Sequence, residues 1–138
     1  MRVESYDYIR HRSIMLERKE NIIQSKVDAY SDRIVRLYQY LRSEKKELIM
    51  STQILRSGTS IGANVMESRN AQSGLDFINK MNIALKEADE TEFWLRKLLA
   101  GGYIEEKGYQ SMHDDNEEIV RILVKIIKTM KQKCNRNG

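Results

Sequence analysis

No proline interrupts the 138 residues of this chain, and that absence constrains the fold more than any other feature. Proline breaks helices and punctuates turns, so a chain without it and with only seven glycines has little material for the tight turns of a many-stranded β protein. Apolar residues recur instead at helical spacing. Val27, Tyr30, Ile34, Leu37, Tyr38 and Leu41 fall on one stripe at about 100° per residue. The chain reads as long helices.

Three Ser-x-x-Asp signatures, Ser25 with Asp28, Ser73 with Asp76 and Ser111 with Asp114, stand before apolar-periodic segments and predict three helix starts. The first helix is expected from Ser25 to the charged turn at Ser43 to Glu47. The second is expected from about Leu48 to Gln72, with Met50, Ile54, Gly58, Ile61 and Val65 on one face. Two interior glycines, Gly58 and Gly62, each cost a helix about 1 kcal/mol relative to alanine. Close approach of a neighbouring helix to a patch of Ser57, Gly58, Ser60, Gly62 and Ala63 would offset that cost, and a kink at Gly58 is the alternative.

The third helix is expected from Gly74 to Ala100, closed by Gly101-Gly102 with Tyr103 and Ile104 folding back. It is apolar almost all round, which implies burial on more than one side. The fourth is expected from Ser111 to about Lys133, with Ile119, Ile122, Leu123, Ile126, Ile127 and Met130 inward and Val120 and Val124 widening the arc. Surplus apolar surface of this kind implies a subunit interface. Short connections make the expected fold an all-α, antiparallel, up-down-up-down four-helix bundle over 25–138. Residues 1–24 match no clean period and are expected as an N-terminal arm, either flexible or a partial helix extending the first one.

One cysteine, Cys134, permits neither an intrachain disulfide nor a cysteine metal site, which fits a reducing cytoplasm. The charged start lacks a signal-peptide core, and no apolar run approaches the roughly 18 residues that a bilayer requires. Net charge is +4, a mild excess whose placement is more informative. Glu105, Glu106, Asp114, Asp115, Glu117 and Glu118 precede Arg121, Lys125, Lys128 and Lys131, with no acid after Glu118. Two readings stand: complementarity to a helix dipole, or a basic face for RNA or DNA.

The residues that carry chemistry are sparse. His11 and His113, taken to lie in terminal or loop regions, suggest no nucleophilic arrangement, so no catalytic residue is expected. Glu87 and Glu90 have the spacing of a bundle di-metal site, and Glu67 could face them, but no histidine follows at the required step, so neither metal nor cofactor is expected. One polar constellation remains. Arg56, Ser60, Asn64 and Glu67 follow one flank of the second helix, and Glu87, Glu90, Thr91 and Trp94 one flank of the third. Their meeting would fix bundle register or form a ligand site.

These same residues carry a resemblance. Arg-Ser-x-x-Ser-Ile-x-x-Asn-x-x-Glu is present as Arg56, Ser57, Ser60, Ile61, Asn64 and Glu67, and Lys-Glu-Ala-x-Glu-Thr as Lys86, Glu87, Ala88, Glu90 and Thr91. From about Ile23 to Lys131 the chain resembles the 23S rRNA intervening-sequence proteins, departing from them at Ala29-Tyr30, where Phe-Ala is usual, and in its long N-terminal arm. The resemblance implies a ring-shaped homopentamer of bacterial four-helix bundles without enzymatic activity. Relatives include the nucleic-acid-binding accessory determinant of diversity-generating retroelements. A nucleic-acid-associated or accessory factor is therefore the expected function. A structural oligomer docking another protein is the alternative.

Overall fold

The computed structural model describes residues 14–137. They form four helices, α1 (Ile14–Ser43), α2 (Met50–Ser68), α3 (Gly74–Ala100) and α4 (Glu106–Asn137). Each helix packs on the next, α4 returns to α1, and among the described residues the backbones of diagonal helices do not approach closely. Interhelix pairs set the direction. Rising along α1, Lys26 and Arg33 meet Glu118 and Asp115, falling along α4. Arg56 meets Glu87 and Glu90 while Glu67 meets Lys80, so α2 and α3 are antiparallel as well. The result is an up-down-up-down bundle, and none of its helices is long and apolar enough to cross a membrane.

The core is built from the inward stripes: Ile23, Val27, Tyr30 and Ile34 of α1, Ile54, Ile61 and Val65 of α2, Phe77, Met81, Ala84, Ala88 and Leu95 of α3, and Ile119, Leu123, Ile126 and Met130 of α4. Burying each large apolar side chain contributes about 1.5–3 kcal/mol. α2 runs unbroken through its glycines, and α1 lies directly against them. A Cβ on Gly58 would stand 2.7–2.8 Å from three carbons of Ile34, and one on Gly62 would stand 3.0 Å from Ser31 Oγ. The other small residues of the patch point elsewhere. Ser57 is buried against Thr91 of α3, and Ala63 is exposed.

Two expected helix starts move. α1 begins at Ile14, so Ser25 lies inside it, and residues 14–24 are a helical extension of the first bundle helix. The stripe through fully buried Ile23 extends below Ser25, and burial outweighs a local capping pattern. Residues 1–13 of the expected arm lie outside the described part. α4 begins at Glu106, a turn before Ser111; buried Met112 and part-buried Tyr109 carry its stripe toward the loop. His113 is accordingly a mid-helix residue rather than a loop residue.

The caps of α3 fall where local chemistry puts them. Ser73 Oγ accepts from the Asp76 N–H at 3.1 Å. At the other end Gly102 adopts φ 77°, which a side chain would disfavour. Its N–H donates to Leu99 O and that of Tyr103 to Leu98 O, completing a Schellman motif. α3 itself is buried along one broad face only: Leu75 and Phe93 remain exposed. α2 lacks a small polar cap, and Glu47 takes that role. Its buried carboxylate accepts from the N–H groups of Ile49 at 3.1 Å, Met50 at 3.0 Å and Ser51 at 2.7 Å. Negative charge at a helix N-terminus is favoured by the aligned peptide dipoles.

Candidate functional site

Three polar seams run along the bundle. Between α2 and α3, the Arg56 guanidinium bridges Glu87, at 3.3 Å, and Glu90. Glu90 also accepts from the Trp94 indole N–H at 3.2 Å. Thr91 donates to the Glu87 carbonyl at 2.8 Å and lies 3.0 Å from Ser57 Oγ. The rest of the constellation does not join this cluster. Ser60 and Asn64 bond to the carbonyls of Arg56 and Ser60 in their own helix, and Glu67 pairs with Lys80 a turn and more away. Arg56 is half-exposed and neutralised by two carboxylates, so the cluster ties α2 to α3.

Between α3 and α4, Glu92 collects two partners. Tyr109 donates to it at 2.6 Å, and His113 Nδ1 lies 2.8 Å away. The His113 ring stacks on Tyr109, and its Nε2 faces Glu117 at 3.3 Å. The hydrogen bond to Glu92 is the largest cause raising His113 above the ordinary histidine value. The charges of Glu92, Glu117 and Asp114 add to it, while burial opposes it. Its own hydrogen bond to Glu92, with burial, pushes Tyr109 up to about 12. Ligating atoms of His113, Asp114 and Glu117 lie within 4.8 Å of one another, the grouping among the described residues that has the donor set for an ion. Nothing in the sequence joins Glu92 to this cluster, although Tyr109, His113 and Glu117 at four-residue spacing mark one face of a helix.

Between α1 and α4 the contact is electrostatic. Lys26 Nζ lies 2.6 Å from Glu118, and Arg33 lies 2.5 Å from Asp115 and 2.9 Å from Ser111 Oγ. Above these pairs a cavity of about 530 Å³ opens among Arg33, Arg36, Leu37, Tyr40, Ile104 and Met112. Asp114 to Glu118 therefore sit about two turns inside α4, beyond the reach of its N-terminal dipole. Asp115, Glu117 and Glu118 pair with α1, His113 and Arg121, and Asp114 accepts from Gln110, instead of stabilising a helix start. The dipole account therefore does not extend to Asp114 through Glu118, while Glu106 in the first turn still fits it.

The basic group that follows is exposed. Arg121, Lys125, Lys128 and Lys131 all face solvent, the first three along the outer arc of α4. Arg121 has Glu117 at 3.7 Å. Among the described residues no carboxylate answers Lys125, Lys128 or Lys131. The chemistry available on this face is attraction of anions.

Comparison with known proteins agrees with the architecture. No curated protein matches the chain. A crystal structure of a protein with unknown function from the S23 ribosomal protein family of Bacteroides thetaiotaomicron VPI-5482 superposes with a TM-score of 0.79 at 54% identity, covering 80% of this chain and 98% of that one. Residues 19–125 match the family described as 23S rRNA-intervening sequence protein. With more than half of the chain matched, and a relative above half identical over nearly its full length, the protein belongs to the 23S rRNA-intervening sequence protein family.

Proposed function

We propose that the protein is a non-enzymatic, oligomeric accessory factor of the bacterial cytoplasm that associates with RNA or DNA through the basic face of α4. The observation that carries this reading is the row Lys125, Lys128 and Lys131, which no carboxylate answers among the described residues. Every acid of the central α4 cluster from Asp115 to Glu118 is already paired, so the positive charge beyond it is not cancelled. Phosphate contacts made by such a face are sequence-independent and salt-sensitive.

Assembly supports it. The outward stripe of α2, Thr52, Leu55, Thr59, Ala63 and Met66, holds no charge, and exposed Leu48 and Ile49 extend it past the helix start. A charge-free outer helix face with apolar ends suits a subunit contact. The family resemblance implies five copies in a ring, which repeats the basic face and multiplies weak contacts on one strand. A ring docking another protein without nucleic acid is the second reading, favoured by that same uncharged stripe.

The test combines light scattering with a mobility-shift titration at graded salt. A mass of several subunits, a shift that weakens steeply with salt, and loss of the shift in the Arg121→Gln, Lys125→Gln, Lys128→Gln triple variant are expected. A 16 kDa monomer at micromolar concentration refutes the assembly. An unshifted probe at low salt, or a triple variant that binds equally well, leaves the protein-docking reading.

A further inference from the structure

The α1–α4 seam obeys a seven-residue register. On α1, Arg33, Lys26 and Lys19 are spaced by seven, and on α4 Glu118 and Lys125 are as well. Seven residues are close to two helical turns, so each step returns to nearly the same face with about 20° of drift. Lys26 faces Glu118 at 2.6 Å. Because the helices are antiparallel, one step down α1 and one step up α4 place Lys19 opposite Lys125. The ladder thus runs cation against acid at Arg33–Asp115 and Lys26–Glu118, then cation against cation.

Among the described residues no carboxylate pairs with either lysine of that last rung. α4 has no acid after Glu118. On α1, Glu17 and Glu20 lie 160° and 100° round the helix from Lys19 by the 100° step, turned away from α4. Neither Lys19 nor Lys125 has an ion pair among the described residues. Lys19 is half-buried in the seam while Lys125 and Lys128 are exposed beside it. Ile22 and Ile122, at matching register between the two rungs, leave an uncharged strip above them, with Ile22 49% exposed. Like charges facing each other across neighbouring helices destabilise the free protein. An anion lodged between them turns one repulsion into two attractions.

We propose that Lys19 and Lys125 form a two-helix clamp for a phosphodiester of a nucleic-acid strand, so that the strand follows the α1–α4 seam rather than α4 alone. The proposal rests on the nucleic-acid reading and adds α1 to the interface. It also carries a consequence independent of binding: the clamp lowers the stability of the unliganded protein.

The experiment reads both properties on the full chain. Lys19→Glu converts the rung into an ion pair, so at low salt it melts higher than the wild type, and the gain fades as salt rises. Lys26→Glu, which faces Glu118, melts lower and verifies the register. Binding is read by anisotropy of a labelled single-stranded oligonucleotide across a salt series. Lys19→Gln weakens it several-fold and flattens the log–log salt slope by about 0.7, the value of one single-strand phosphate contact. Arg36→Gln, beside the cavity higher on α1, leaves both unchanged. If Lys125→Gln weakens binding but Lys19→Gln does not, the clamp is wrong while the nucleic-acid reading stands. A Lys19→Glu variant no more stable than the wild type also overturns the clamp. If no oligonucleotide binds, or inorganic phosphate alone raises the melting temperature as much as the oligonucleotide does, the nucleic-acid source is wrong.

Discussion

Helix α1 has two neighbours and meets them by opposite means. Against α2 it makes no ion pair among the described residues. The helices approach until Ile34 lies over Gly58, and the contact has no room left in it. Against α4 it touches less extensively, leaves a cavity open, and is held by pairs of charged side chains. The first seam is specified by shape, which tolerates almost no change of volume. The second is specified by charge, which is soft, salt-sensitive and readable by an outside anion. A basic face can sit on the α4 side because the fold does not depend heavily on it.

The sharpest way to break this contrast is at the glycines. Gly58→Leu must push α1 and α2 apart, at a cost of about 1–3 kcal/mol or more, and denaturation should show a large loss of stability with impaired assembly. Gly58→Ala is destabilising too, since its Cβ would stand 2.7 Å from Ile34. Gly62→Ala should be close to neutral. There the Cβ meets a serine hydroxyl at 3.0 Å, and the better helix propensity of alanine returns about 1 kcal/mol. Equal melting of the two alanine variants would show that the seam is not closed at Gly58.

Next in size is Glu47, which holds the start of α2 beside the same seam. Three N–H groups donate to its carboxylate, so Glu47→Ala should cost about 1–3 kcal/mol and Glu47→Gln less. An unchanged melting temperature for the alanine variant would mean that the helix start is satisfied by other groups.

The cap of α3 was legible in the sequence because a cap is local: Ser73 and Asp76, or Gly101 and Gly102, are read within a single turn. Ser25 and Ser111 carry the same letters inside helices, and only the burial of Ile23 and the partial burial of Tyr109 on the preceding turn tell them apart. Glu47 was missed because a long carboxylate reaching forward over several residues lies outside the usual capping set. The stripes, and with them the bundle, were legible because burial follows a 3.6-residue period. The charge ladder was not, because Lys26 and Glu118 meet only once the antiparallel register of two distant helices is set. Of the α2–α3 constellation, the sequence shows the shared flank but not that Glu67 leaves it for Lys80.

A smaller effect belongs to the α3–α4 seam and to pH. His113 is raised by Glu92, with Glu117 and Asp114 adding and Tyr109 stacked beside it. A histidine whose folded value lies above its unfolded value of about 6.5 stabilises most fully below that pH. The contribution is lost as pH rises through the folded value. Melting temperature should therefore fall as the pH is raised from about 6 toward 8, and His113→Asn should flatten that dependence. A parallel pH profile for the variant would assign the titration to another group.

The smallest effect is expected from the ladder, and a double-mutant cycle isolates it. Arg33 and Asp115 are partly exposed, at 32% and 47% of their side-chain surface, so solvent screens their attraction and each side chain loses rotamer freedom to hold it. Such pairs couple by about 0.2–1 kcal/mol. Ser111 Oγ adds a hydrogen bond to the same guanidinium, which places the pair toward the upper part of that range. Arg33→Gln and Asp115→Asn should each lower stability slightly, and the double variant should lose less than their sum. Raising the salt toward 1 M shrinks the Debye length to about 3 Å and should abolish most of the coupling. The glycine effects at the α2 seam should survive the same salt, because excluded volume is not screened. If the coupling persists at high salt, the α1–α4 seam is held by shape as the α1–α2 seam is, and the two sides of α1 do not differ in kind.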